Sequence, residues 1–155
     1  MNPIFSNCVV SDAQALAENN VTAWWDDPSW NMLWHIRTLQ YVIDGAAARG
    51  AHRLLQDRDR TRHMKAVDPA TGRVVGYVRW EVPVGCEGDW LEMQTPDVTE
   101  AEREVYRRRY EAADWSTHEG MGEMDDPVHQ IQPRIMKGRT FLSKSHISRS
   151  AESYG

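Results

Sequence analysis

The feature that most constrains this chain is a tight turn flanked by two runs of strand-forming residues. Thr61 to Val67 forms the first run, Arg73 to Val82 the second, and Asp68, Pro69, Ala70, Thr71 and Gly72 stand between them. Proline presets one turn dihedral and glycine accepts positive φ, so the segment predicts an antiparallel hairpin. Alternation along the second run puts Val74, Gly76, Val78, Trp80 and Val82 on one face. It puts Val75, Tyr77, Arg79 and Glu81 on the other. Pro83 ends the strand, and residues 84–97, punctuated by Gly85, Gly88 and Pro96, read as a loop.

Upstream, Ile4, Phe5, Val9 and Val10 suggest an entry strand. Ser11 with Gln14 fits a capping box for a first helix through Asn19, a stretch rich in Ala and Leu. Asp27-Pro28 has the cap and first-turn chemistry of a second helix. Thr38 re-caps a third stripe of Leu39, Val42, Ile43, Ala46 and Ala47 at the helical period, with Gly50 as its expected stop. Residues 57–63 alternate in sign and read as a solvated face. Thr99 and Glu102 form another capping box, opening a helix from Glu100 to about Ala113. On it, Ala101, Val105, Tyr106, Ala112 and Ala113 are expected inward, and Glu104 pairs with Arg108. The predicted class is therefore α+β: an N-terminal strand, two or three helices, the hairpin, one further helix and a tail.

At 155 residues the chain is of single-domain size. No apolar run approaches a membrane span, and residues 1–17 show no secretory pattern, so a cytoplasmic protein is expected. Residues 134–155 carry five basic groups and one acidic group, a net +4. Since the whole chain is −5, the other 133 residues carry −9. Such a body is a poor partner for nucleic acid, which needs a positive face. Residues 143–155, Ser-rich and basic, are expected to be a disordered tail. Cys8 and Cys86 belong to no paired motif and read as two free thiols in a reducing compartment.

Few constellations carry chemistry. His118, Glu119, Glu123, Asp125, Asp126 and His129 include metal-ligating types, but their spacing matches neither a helical zinc motif nor a calcium loop. They read as a solvated acidic loop, and no metal is expected. Gly120 and Gly122 are flanked by acids, which oppose phosphate cradling. Four of the seven tryptophans, Trp24, Trp25, Trp30 and Trp34, lie within eleven residues. Helical spacing favours core packing for them, with a ligand groove as the other reading.

Taken in order, several segments resemble the fungal branch of the GNAT N-acetyltransferase family. They are Ser11-Asp12-Ala13, then Trp24-Trp25-Asp26-Asp27-Pro28-Ser29-Trp30 with Leu33-Trp34. Next come Arg62-His63-Met64-Lys65-Ala66-Val67-Asp68-Pro69-Ala70-Thr71-Gly72, and Val74-Val75-Gly76-Tyr77-Val78-Arg79-Trp80 with Pro83. The resemblance implies the N-terminal half of an acetyl-CoA-dependent transferase acting on a small-molecule or peptide amine. It makes residues 1–142 a partial domain and 143–155 a tail. Trp30, Trp34, Tyr77 and Arg79 are the candidate acceptor-binding residues. The family's Q/R-x-x-G-x-G/A loop holds the acetyl-CoA diphosphate on backbone amides, and the 155 residues contain no such segment. The expectation is a truncated relative that is inactive, with no catalytic or cofactor-binding residues and no bound acetyl-CoA. The alternative is a non-catalytic interaction module that associates through an exposed sheet edge, with a homo-oligomer as one form of it.

Overall fold

The computed structural model describes residues 2–116 and the backbone of Ser143–Arg149. Strand β1 (Ile4–Asn7) leads through a short 3-10 turn into α1 (Ala13–Trp24), α2 (Pro28–Trp34) and α3 (Leu39–Leu54). The hairpin β2 (Thr61–Val67) and β3 (Val74–Glu81) follows, then α4 (Glu100–Ala112) and β4 (Ser143–Arg149). The sheet runs in the order β1-β2-β3-β4 and all its pairs are antiparallel. The architecture is thus the α+β class expected from the sequence.

Local chemistry sets most boundaries. Asp27 accepts hydrogen bonds from the amides of Ser29 and Trp30 at 2.8 and 3.0 Å, starting α2. Thr38 accepts from the Tyr41 amide and starts α3. Thr99 and Glu102 form the expected reciprocal capping box on α4. In the hairpin turn Gly72 takes φ of 71°, a conformation costly for any residue with a Cβ.

Several expectations change. Ser11 and Gln14 do not cap α1: Asp12 instead accepts from the Val9 amide, and Gln14 donates to Glu18. Gly50 does not stop α3, which continues to Leu54. A Cβ on Gly50 would lie 2.9 Å from the Ala13 Cβ, so glycine there serves the close crossing of α1 and α3. Helix α4 buries none of its residues, and Val105 is exposed. Salt bridges from Arg107 and Arg108 to Glu104 support this polar helix. Residues 143–149, expected in a disordered tail, pair along β3 in the structure. Backbone hydrogen bonding requires no apolar pattern, which is why composition missed this strand.

Two apolar clusters lie under the helices. Val21, Trp34, Val42 and Ile43 form one, with Trp25, Trp30, Leu33 and Trp115 packed against it. Cys8, Leu16 and Leu54 form the other, joined by Val74 and Tyr77 of β3. The second cluster tethers the sheet to α1 and α3, fixing the site described next.

The stretch 57–63 is solvated only in its first part: Asp57, Asp59 and Arg60 are exposed, but Thr61, Arg62 and His63 are buried. Arg62 donates to the carbonyls of Arg58, Asp59, Thr61, Glu87 and Asp89 at 2.7 to 3.2 Å. Alternating charge signals solvation only where no loop folds over it. Here residues 87–89 close over one side of the strand and their carbonyls satisfy the guanidinium.

Candidate functional site

The hairpin register brings polar side chains together on the helix-facing side of the sheet. Thr61 lies opposite Glu81, His63 opposite Arg79 and Lys65 opposite Tyr77. Opposed residues of an antiparallel ladder share a face. Tyr77 identifies that face as the one under the helices, because it packs on Cys8, Leu16 and Leu54.

His63 is 3% exposed, and its Nδ1 lies 2.8 Å from the Tyr77 hydroxyl. The two rings are nearly parallel, 12° apart. Its Nε2 is buried without a partner among the described residues. Burial, reinforced by the Arg79 charge, pushes the imidazole pKa down to about 4, so the ring is neutral at pH 7. Burial raises the Tyr77 phenol well above its ordinary range, with Cys8 adding to the shift.

Cys8 adjoins this pair, donating its amide to the His63 carbonyl at 2.9 Å. Its thiol is fully buried and pushed up to about 12, first by burial and then by Asp12. Nucleophilic chemistry needs the thiolate, so Cys8 and His63 do not form a catalytic pair despite their proximity. Cys8 is a core residue.

At the open end of β2 and β3 this face meets a small cleft lined by Asp57, Arg60, Thr61, Arg79 and Glu81. Asp57 holds a left-handed backbone, φ 48°, and its carbonyl accepts from the amides of Arg60 and Thr61 at 2.8 Å. That turn presents Arg60 beside the strand ends. Arg79 donates to Glu81 at 2.7 Å across the cleft floor. The lining therefore holds two carboxylates and two guanidiniums, beside a neutral imidazole and a phenol. It can receive a molecule carrying both an ammonium and an acidic group.

Of the four acceptor residues expected from the sequence, the structure joins two here. Tyr77 and Arg79 are on this face. Trp34 is 2% exposed in the other apolar cluster, stacked edge-on against Trp115, with Trp30 beside it at 6.2 Å between ring centroids. The tryptophan pair is core packing, and its indole area stabilises the α2–α3 junction. Sequence reasoning missed His63, Asp57, Arg60 and Glu81 as site residues. Counting outward from the turn would have misplaced both, because the register shifts by one residue between the Val67–Val74 and Ala66–Gly76 pairs.

A diphosphate would need free backbone amides at a helix start. First-turn amides of α2, α3 and α4 are bonded by Asp27, Thr38 and Thr99, and α1 begins at Asp12. At α2 and α4 the first-turn amides face carboxylates, whereas at α3 the neutral Thr38 takes only the Tyr41 amide. Among the described residues no group of three or more His, Cys, Asp or Glu could hold a metal ion. The acidic segment His118–His129 lies outside the described residues. Among them, too, no helix is long and apolar enough to cross a membrane. No protein-family model, curated protein or solved structure matches this chain.

Proposed function

We propose that this chain is the acceptor-holding part of an N-acetyltransferase-type domain, binding an amine-bearing molecule without transferring acetyl itself. The observation that carries the reading is the cleft where Asp57 and Glu81 face Arg60 and Arg79 beside His63. Carboxylates at a partly desolvated mouth attract an ammonium group more strongly than they would in water. The guanidiniums orient an acidic group on the same molecule. The strand, helices and hairpin stand in the order the acetyltransferase resemblance implies, which supports the reading. Titration calorimetry with lysine and with butylamine tests it. Saturable millimolar binding of lysine, weakened at least fivefold by Glu81→Gln, is expected, with acetyl-CoA turnover at the blank rate. Absence of saturable amine binding overturns the acceptor role. Turnover above the blank overturns the non-catalytic part.

A second reading rests on the edge of the sheet. Strand β1 is an edge strand, with Ile4 57% and Phe5 58% exposed. Such an edge can pair with another chain. On that reading light scattering gives a dimer that Phe5→Glu converts to monomer; a monomeric parent protein sinks it.

A further inference from the structure

Helix α4 buries none of its own residues, yet the chain just past its C-terminal end is fastened to the core. Trp115 does the fastening. Its ring packs edge-on against Trp34 at 4.6 Å between centroids, and the Arg49 guanidinium lies over it at 4.8 Å. A Cβ on Gly45 would come within 2.9 Å of Trp115 Cε3, so the bare backbone at 45 makes the seat for the indole. The next residue, Ser116, is exposed, and the seated ring beside it sets its place on the surface.

The Ser116 hydroxyl stands among three polar groups. Arg37, in the link between α2 and α3, donates from Nη2 to Ser116 Oγ at 2.7 Å. The Tyr41 hydroxyl, from the first turn of α3, lies 3.3 Å from the same oxygen. Tyr41 also holds the guanidinium, whose Cζ is 4.6 Å from its ring centre. On its own segment, Ser116 donates to Asp114 at 3.2 Å. A second guanidinium nitrogen, Arg37 Nε, is buried with no hydrogen-bond partner among the described residues. One forked donor is therefore fixed against an aromatic ring with its tip already on the serine oxygen.

We propose that Ser116 is a phosphorylation site and that Arg37 receives the phosphoryl group, locking the end of α4 onto the α2–α3 junction. The hydroxyl oxygen attacks the γ-phosphorus of a nucleoside triphosphate held by a protein kinase. The Oγ–P bond forms as the γ-phosphorus separates from its bridging oxygen. The nucleoside diphosphate leaves, and the hydroxyl proton passes to the kinase's base. Phosphoserine carries about −1.5 to −2 charges at pH 7 and three acceptor oxygens. A guanidinium already on Oγ meets those oxygens with parallel donors, a match that lysine lacks. Asp114 opposes the new charge, but it is exposed and can turn to solvent, whereas Arg37 is held by Tyr41. Asp114 precedes Ser116 by two residues and Glu119 follows it by three. Acids on both sides suit a kinase whose substrate groove is basic. The site shares no residue with the acceptor cleft, and its test involves no amine.

The full chain, phosphorylated at Ser116, is compared with its unphosphorylated form in the parent and in Arg37→Gln. Phosphorylation should raise the parent's melting temperature by about 2–4 °C. In Arg37→Gln it should leave the melting temperature unchanged or lower it, because Asp114 then acts alone. Each chain is read against its own unphosphorylated form, so the cost of Arg37→Gln itself cancels. Phosphorus NMR supplies a second readout. The second ionisation of phosphoserine, ordinarily near about pH 6, should fall about half a unit lower in the parent than in Arg37→Gln. An acidophilic serine kinase with ATP should label the folded chain, and Ser116→Ala should remove that label. Equal melting shifts or equal phosphorus titrations in the parent and Arg37→Gln would overturn the role of Arg37. No labelling, or labelling undiminished in Ser116→Ala, would overturn the site.

Discussion

Replacing Arg62 with methionine is the sharpest test of how the hairpin and its loop hold together. The guanidinium is fully buried and donates six hydrogen bonds to five backbone carbonyls, with no carboxylate among its partners. Methionine matches the stem and supplies no donor. Arg58 keeps one alternative donor, the Gln94 side chain. The carbonyls of Glu87 and Asp89 lose the bonds that tie residues 87–89 to the strand. Each orphaned acceptor costs about 1–3 kcal/mol, partly offset because no charge is desolvated in the variant. A net loss of about 3–5 kcal/mol follows. For a chain of this length that is roughly 10 °C in melting temperature. Calorimetry or circular dichroism measures it, and limited proteolysis should show new cleavage within 84–97. Lysine, with a single ammonium, should fall between parent and methionine. A melting temperature within 2 °C of the parent, together with unchanged proteolysis, would refute the reasoning.

Three further outcomes follow from the same coordinates. The His63 ring has a folded pKa near 4 against 6.5 ordinarily, so between these values the unfolded chain binds a proton that the folded one refuses. Stability is therefore complete above pH 6.5 and falls by about 3 kcal/mol as pH drops to 4; urea midpoints of His63→Phe should lack that slope. Gly50→Ala gains about 1 kcal/mol of helix propensity but drives a Cβ to 2.9 Å from Ala13. Overpacking of about 1–3 kcal/mol should win, lowering the urea midpoint, and a raised midpoint would show that α1 and α3 can part freely. Cys86 is half-buried and Cys8 fully buried, so a thiol reagent should titrate one cysteine in the native protein and two in urea; two rapid equivalents under native conditions would contradict the burial of Cys8.

The elements were legible where sequence chemistry acts locally. Asp27-Pro28, Thr38 and the Thr99–Glu102 box each begin a helix as their side chains dictate. The turn at Asp68 to Gly72 makes the hairpin, but the pairing of His63 with Arg79 needs a one-residue register shift beside Val67 that the turn chemistry does not announce. What composition obscured was long-range. Gly50 resembles a stop until the crossing helix supplies Ala13. Alternating charge at 57–63 resembles a solvated face until the 87–89 carbonyls close over Arg62. The candidate site was half legible: Tyr77 and Arg79 belong to the strand face the pattern indicated, whereas Trp30 and Trp34 obey helical spacing into the core.

The buried and half-buried cations of this small domain separate by what neutralises them. Arg62 is held by carbonyls and Lys65 by Asp12 at 2.5 Å. Those arrangements are closed, and removing one partner leaves a stranded charge or acceptor. Arg49 differs: it donates to the Tyr110 hydroxyl and lies over the Tyr110 and Trp115 rings, with no ion pair among the described residues. A cation held only by ring faces and a neutral hydroxyl stabilises the fold weakly, since cation–π contacts contribute about 0.5–2 kcal/mol. The same criterion separates Cys8, sealed and protonated, from the polar cleft around Asp57, Arg60 and Glu81, where charges of both signs remain open to exchange for a ligand's own.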